Sequence, residues 1–402
     1  MTTILSGMRV VESSAFVAVP LAGMTLAQMG ADVIRFDRLE GGLDVKRWPV
    51  SESGQSHFWA GMNKGKRSIA IDMRNDEGRA LITRIITAPG EDSGLFISNL
   101  RVKGWLDHAT LSVDRPDLIM VTLTGDRLGR PQVDYTVNPA LGVPNITGPA
   151  DLATPVASAL PAWDCIAGQM VVSALLAAER RRFKTGFGDD VELALKDVAA
   201  ATIGHLGMIG EAATSERQRG KSGNDLYGAY GHDFVCADGK RVMIIGLTER
   251  QWKLIVKVTD SSEKMQALEQ EVQRSLLDEA VRWRFRDRIT AILTPWFAAR
   301  KVTEFAADFD VAGLTWSQFR ALDEALQIDP DLKPDNPLFT LCEQPGLGRY
   351  PVPSLPVRFQ HSGRNTTRLA PKLGEHTEEI LSAVVGLDDT EIAKLFDRKV
   401  VG

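Results

Sequence analysis

Cysteine is scarce in this sequence: Cys165, Cys236 and Cys342 are the three among 402 residues, far apart and without metal-ligand spacing. That spacing argues against a disulfide framework and fits a reducing compartment, so the expectation is a cytoplasmic protein with no bound metal. No stretch approaches the roughly 18 uninterrupted apolar residues of a membrane helix. The opening, MTTILSGMRV, lacks the basic start and long apolar run of a secretory signal. Basic residues are not in excess either. Lys and Arg number 47 against 52 Asp and Glu, a formal net charge of −5, which argues against a nucleic-acid binder.

Signature loops are missing as well. The turn after the first strand, Ser13-Ser14-Ala15-Phe16-Val17-Ala18-Val19-Pro20, contains no glycine. The G-x-G-x-x-G turn that lets a backbone approach a pyrophosphate is therefore absent. Asp37 ends the second strand, where a dinucleotide enzyme places its ribose-binding acid, but without the glycines that reading is disfavoured. P-loop, G-x-S-x-G and H-E-x-x-H patterns are absent too.

What is present is an alternation of apolar strands and amphipathic helices. Met8–Glu12, Asp32–Phe36, Ser68–Asp72, Gly94–Asn99 and Leu118–Thr124 read as strands, with helices over Pro20–Gly30 and Asp76–Ile86. Such alternation implies an α/β fold around a mostly parallel sheet. A long helix is expected from near Trp163 to the basic run Glu179-Arg180-Arg181-Arg182, read as a solvated terminus that complements the helix dipole. Residues 213–240 are rich in Gly, Ser and charge, and 250–325 read as charged amphipathic helices. A proline-rich stretch, Pro330 to Pro356, marks a crossing back, and Leu373–Leu395 is expected to be helical. The expected organisation is a large Rossmann-like domain from residues 1–212 and 326–402, and a smaller helix-rich α+β domain from 213–325.

Five segments in register resemble the class III CoA-transferase (carnitine/formyl-CoA transferase) family. They are VVESSAFVAVPLAGMTLAQMGADVIRFDR at 10–38, Asn63-Lys64-Gly65-Lys66-Arg67-Ser68-Ile69, Ser98-Asn99-Leu100-Arg101, Trp163-Asp164 with Gly168 and Thr185-Gly186-Phe187-Gly188, and Pro371-Lys372-Leu373-Gly374-Glu375-His376-Thr377. The stretch from Asp134-Tyr135-Thr136-Val137-Asn138-Pro139 to Thr147-Gly148-Pro149 is similar to the subgroup that moves CoA between the two carboxyls of 2-methylfumarate (mesaconate). The resemblance implies an interlocked homodimer and an acyl-CoA thioester partner, with CoA arriving as part of the substrate and no separate cofactor. No nucleic-acid or membrane partner is expected.

The resemblance makes Asp164 the nucleophile, passing through an aspartyl anhydride and an aspartyl-CoA thioester. From the residues alone, an Asp at a helix start is more often a cap. The resemblance also implies that Val17, Ala18, Arg38, Ile71, Asp72, Arg74, Asn99, Leu100 and Arg101 line CoA or its thioester. Asp134 matches an acid close to the nucleophile, and Asn138 replaces a common glutamine. Arg38 by itself reads as a surface charge, and Asp134 as a turn residue. Many relatives carry glutamine where Val17 stands, so that side chain's hydrogen bonding is lost here. His108 falls near a basic family position and otherwise reads as a surface histidine. The loop from Gly220 to His232 stands where relatives carry a lid, and a plain surface loop is the other reading. The alternatives are CoA transfer between two separate acids, an α-methylacyl-CoA racemase using a histidine and an aspartate, and a non-catalytic binder of CoA esters.

Overall fold

Short runs of β-branched and apolar residues form the strands β1 (Arg9–Ser13), β2 (Asp32–Asp37), β3 (Arg67–Ala70), β4 (Leu95–Ser98) and β5 (Ile119–Thr124). In the computed structural model, which describes residues 3–100, 102–216, 218–362 and 367–402, β6 (Asp189–Ala194) joins them in one six-stranded sheet. The order is β3-β2-β1-β4-β5-β6 and every pairing is parallel. β1, β4 and β5 are buried along almost their whole length, as expected of strands covered on both faces. β6 sits at the edge and alternates half-buried with exposed residues. Its Asp-Asp-Val-Glu sequence carries too much charge to read as a strand in advance.

The strand order reverses between β1 and β4, so their following loops leave in opposite directions and open a crevice at the carboxyl ends of the two strands. One face of the sheet packs a large apolar core that includes Val11, Phe36, Ile69, Ile82, Phe96, Met120, Leu381 and Leu395. Phe36 and Phe96 stack there with ring centroids 6.2 Å apart. The chain's last segment therefore belongs to this core. It is not one helix over Leu373–Leu395. A helix over Thr377–Ile380 runs into a wide turn over Leu381–Val385, Gly386 stops it with φ 78°, and a second helix covers Asp389–Asp397. Gly386 takes the left-handed conformation that ends helices.

Pro371–Thr377, one of the five family-like segments, is a latch. Gly374 N donates to Ser68 Oγ at 3.1 Å, His376 N to Ser68 O at 2.9 Å, and Thr377 Oγ1 to Gly402 O at 2.7 Å. Gly374 has φ 72°, and a Cβ there would lie 2.6 Å from Gly402 O. The basic run at the end of the long helix also differs from expectation at one residue. Arg180 and Arg181 are exposed, but Arg182 is buried and donates to the main-chain carbonyls of Ser93 (2.8 Å), Gly94 (3.4 Å) and Asp117 (3.3 Å).

The chain divides into two compact units. The first comprises 1–141, 159–214 and 329–402, and the second 142–158 and 215–328. The second thus includes residues 142–158, which the sequence reading gave to the large domain. Within it β7 (Tyr230–Val235), β8 (Arg241–Gly246) and β9 (Trp316–Gln318) form an antiparallel sheet in that order. Helices over Glu249–Val258, Ser262–Val272 and Arg286–Ala298 accompany it. Its core is aromatic: Phe234 stacks on Phe297 at 4.3 Å, with Trp296, Phe305 and Phe309 around them. A hairpin of β10 (Phe339–Gln344) and β11 (Gly348–Pro353) belongs to the first unit.

Candidate active site

Asp164 lies in the first turn of the 24-residue helix Ala162–Thr185, whose N-cap residue, Pro161, offers no side-chain cap. A helix start leaves main-chain N–H groups without partners, and here another residue takes them. Asp134 Oδ2 accepts from Trp163 N at 2.8 Å and from Asp164 N at 3.2 Å. Asp134 begins the short helix Asp134–Ala140, and Asn138, one turn on and on the same face, accepts the Trp163 indole Nε1–H at 3.1 Å. The pair at 134 and 138 therefore holds residue 163 by its main chain and its ring.

Asp164 is left without a capping duty. Among the described residues no group donates a hydrogen bond to its carboxylate. Burial raises its pKa to about 6, the neighbouring Asp134 charge adds to the rise, and the charge of Arg47 opposes it. Asp134 is raised as well, because burial outweighs its two N–H bonds. Cys165 next along is held as a thiol by burial and both carboxylates. The arrangement presents one half-buried carboxylate, desolvated yet ionised at neutral pH, which is the state a nucleophile needs.

The long helix meets Ala18–Gln28 at Gly168. A Cβ at Gly168 would lie 2.6 Å from Ala18 O, so glycine sets how closely the turn before that helix approaches Asp164's helix. The turn itself is strained. Phe16 has φ 67°, a sparsely populated conformation for an aromatic residue. Its N–H is held by both oxygens of Asp44, at 2.9 and 3.1 Å.

Beneath the turn lies a buried ionic network that sequence reasoning did not identify as part of the site. Arg35 donates to Asp37 Oδ2 (2.8 Å) and Oδ1 (3.0 Å), to Asp44 Oδ2 (3.3 Å), to Asn63 Oδ1 (3.1 Å) and to Ser14 O (3.0 Å). Its guanidinium sits 4.7 Å from the Trp59 ring centroid. Lys66 Nζ donates to Glu12 Oε1 (2.8 Å), Pro20 O (2.9 Å) and Asn63 Oδ1 (2.9 Å). Burial lowers Lys66 to about 8 despite its carboxylate partner. A side chain at Gly23 would collide with Glu12 Oε2, 1.7 Å from an added Cβ. The sequence signal was there: Glu12 and Arg35 are charges inside otherwise apolar parallel strands, where they persist only when paired. Asp37 is spent on Arg35, which explains why it is not a ribose acid.

The remaining candidates fall along the carboxyl edge of the sheet, with differing exposure. Asn99 bridges the crevice, accepting from Ala15 N at 3.0 Å and donating to Ala15 O at 2.7 Å. Leu100 beside it is exposed, and Arg101 lies outside the described residues. Val17 and Ala18 are buried in the turn, while Arg38 is exposed just past β2. Asp72 Oδ1 accepts from Arg74 N and Nε, both at 3.1 Å, and Arg74 is exposed. Ile71 is wholly buried, its side chain in the apolar core and not on the lip. His108 is at the opposite edge of the sheet: its Nε2 lies 3.3 Å from Leu118 O, just before β5. That separates it from Asp164 and removes the histidine a racemase would place opposite an aspartate.

A cavity lined by Ile4, Ala27, Lys64, Leu355 and Phe359 lies at the other end of the Ala18–Gln28 helix, away from Asp164. Of the loop Gly220–His232, Tyr230–His232 is strand β7. The rest is tied within the second unit, by Gly223 N to Gly148 O at 3.0 Å and by Asp225 to His232 (2.5 Å) and Arg286 (3.1 Å). Among the described residues no group of three or more His, Cys, Asp or Glu could hold a metal ion, and no helix is long and apolar enough to cross a membrane.

Known proteins resemble this chain over nearly its whole length. The family model "CoA-transferase family III" matches residues 5–377. A 2-methylfumaryl-CoA isomerase of Chloroflexus aurantiacus is 52% identical over 402 residues, covering 100% of this chain and 98% of that protein. A succinate–glutarate CoA-transferase of Agrobacterium fabrum is 28% identical over 96% of this chain and 97% of its own length. Among solved structures, a CaiB/BaiF family protein from Brucella suis superposes with a TM-score of 0.77 at 24% identity, over 96% of this chain and all of that one, and so shares the fold.

Proposed function

We propose, because this chain belongs to CoA-transferase family III, that it moves CoA within one molecule, converting 2-methylfumaryl-CoA to 3-methylfumaryl-CoA through Asp164. The observation that carries the choice of residue is the cap: Asp134 takes the helix N–H groups, so the Asp164 carboxylate is free to react. The choice of substrate draws support from the full-length likeness to a 2-methylfumaryl-CoA isomerase.

In this reading the Asp164 carboxylate attacks the thioester carbonyl carbon, the C–S bond breaks, and CoA leaves as its thiolate. The thiolate attacks the Asp164 carbonyl of the resulting anhydride, giving aspartyl-CoA and the free dicarboxylate. The dicarboxylate turns, and its other carboxylate attacks the aspartyl thioester, expelling the thiolate again. Attack of the thiolate on the substrate's carbonyl then restores Asp164 and delivers the isomer. Splitting one exchange into these steps is covalent catalysis. CoA enters with the substrate, so no separate cofactor belongs to the reading. Binding of CoA along the lip from Arg38 to Arg74 and Asn99, an interlocked homodimer and a cytoplasmic location complete it. The first two rest on the family, and the last on three unpaired cysteines.

The test is to incubate the protein with 2-methylfumaryl-CoA alone and follow the products by chromatography and mass. An isomer of unchanged mass, absent with Asp164→Ala, is expected. Exchange seen solely when a second acid is added would keep the family and overturn the intramolecular assignment.

A further inference from the structure

We infer that the cavity at the carboxyl end of the Ala18–Gln28 helix is a second ligand site, separate from Asp164, which takes a small monocarboxylate with a hydrocarbon tail and pairs its carboxylate with Lys64. The cavity has a volume of about 270 Å³, near the lower end of the range for small-molecule sites. Lys64 is one of its lining residues and keeps only 6% of its surface exposed. Among the described residues its ammonium has one hydrogen-bond acceptor, Gly61 O at 2.5 Å, and no carboxylate pairs with it. An ammonium carries three donors, so a buried charge is left that the protein itself does not satisfy. Lys66, two positions on and also buried, is the contrast: it spends its donors on Glu12, Pro20 and Asn63. Nor is Lys64 needed to close the helix end beside it. The carbonyls of Leu26, Ala27 and Met29 already accept from Ala31 N, Gly30 N and Leu5 N, at 3.1, 3.0 and 3.1 Å.

The rest of the lining identifies the ligand. Among the described residues around the cavity the charged ones are Lys64 and Arg368, with no acid, so the interior favours an anion. Ile4, Leu355, Val357 and Phe359 supply apolar surface, and Ile4 and Val357 remain 46% and 47% exposed. An inorganic anion would leave that surface wet. A hydrocarbon tail covers it while the carboxylate meets the ammonium. The walls are tied to one another: besides the Leu5–Met29 bond, Gly65 N donates to Leu369 O at 3.1 Å and Gln28 Nε2 to Pro353 O at 3.4 Å. A site held in this way needs little ordering when the ligand enters.

Titration gives the site a signature. Burial alone lowers Lys64 to about 8. A carboxylate beside it restores the charged form, so binding takes up a proton around and above that pH. Arg368 and the ligand's carboxylate keep their charges there, which leaves Lys64 as the lining group whose titration the binding follows.

The experiment titrates the full-length protein with hexanoate by calorimetry, with 1-hexanol and inorganic phosphate for comparison. At about pH 7 hexanoate is expected to bind roughly tenfold or more tighter than either, the value of a charge-assisted pair. At about pH 9.5 its affinity should have fallen by roughly tenfold. Lys64→Met, which removes the ammonium and keeps the bulk, should bring hexanoate to the level of 1-hexanol and cancel the pH dependence. Binding at Asp164 would survive that substitution. Hexanoate affinity that persists in Lys64→Met therefore overturns the inference, as does phosphate binding as tightly as hexanoate, or no hexanoate binding by the parent protein. If Lys64→Met does not fold, Ala27→Leu, which narrows the cavity and leaves the ammonium in place, decides: weakened hexanoate binding upholds the site, and unchanged binding overturns it.

Discussion

Replacing Asp164 by Asn should make the protein more stable at neutral pH while abolishing its chemistry. Burial and the Asp134 charge raise the Asp164 carboxyl from 3.8 to about 6. The shift is roughly two units, and at ~1.4 kcal/mol per unit the ionised carboxylate costs the folded state up to ~3 kcal/mol. Asp164 keeps some exposure, and solvent screening reduces that to ~1–2 kcal/mol. The sign follows from the direction of the shift. The folded chain prefers the protonated acid, so the penalty is absent below pH 3.8, grows as pH rises towards about 6, and is constant above. The assay compares urea midpoints of the two proteins at about pH 7.5 and about pH 5; the Asn variant's advantage should be full at the first and shrink to roughly half at the second. Equal midpoints at the higher pH, or an advantage that does not shrink at the lower, would refute the claim that Asp164 is held ionised against its surroundings.

Three further outcomes are expected. The rate constant kcat/KM should fall about tenfold per pH unit below about 6 and level off above it, and Asp134→Asn, which keeps a good cap but removes a charge, should move that midpoint downwards. Gly168→Ala, whose Cβ would meet Ala18 O, should lower activity by roughly tenfold or more with the circular dichroism spectrum unchanged, because it displaces the turn facing Asp164. Arg35→Met leaves Asp37 and Asp44 buried without their cation and should destabilise by ~3–5 kcal/mol, whereas Arg38→Met at the exposed neighbouring lip should stay within ~0.5 kcal/mol by thermal unfolding.

The sheet and its helices were legible because their signal is local. Asp76–Ile86 stands as expected, and β1 to β5 fall within a residue or two of the runs that announced them. Asp164 could be located but not interpreted. A cap and a nucleophile look alike in sequence, and what separates them is a carboxylate 30 positions away that already holds the main-chain N–H groups. Arg47 left no local trace at all. Its guanidinium lies against two rings, Phe16 and Phe58, that stand on opposite sides of it in the sequence and carry no polar motif. The family-like segment Pro371–Thr377 was plain to see, yet it serves to tie β3 to the end of the chain, which spacing alone could not tell.

Asn99 carries a consequence for how this site comes into being. It bonds both main-chain groups of Ala15, 84 positions away in the sequence, joining the loops of the sheet's two halves. Either half could gather around its own local contacts early in folding, but the floor of the crevice forms only when the halves dock in register. Loop closure over that distance is entropically slow. Reactivity should therefore appear late in refolding, after most of the helix signal has returned, and a chain with β1 and β4 slipped by one residue would keep its secondary structure and have no site.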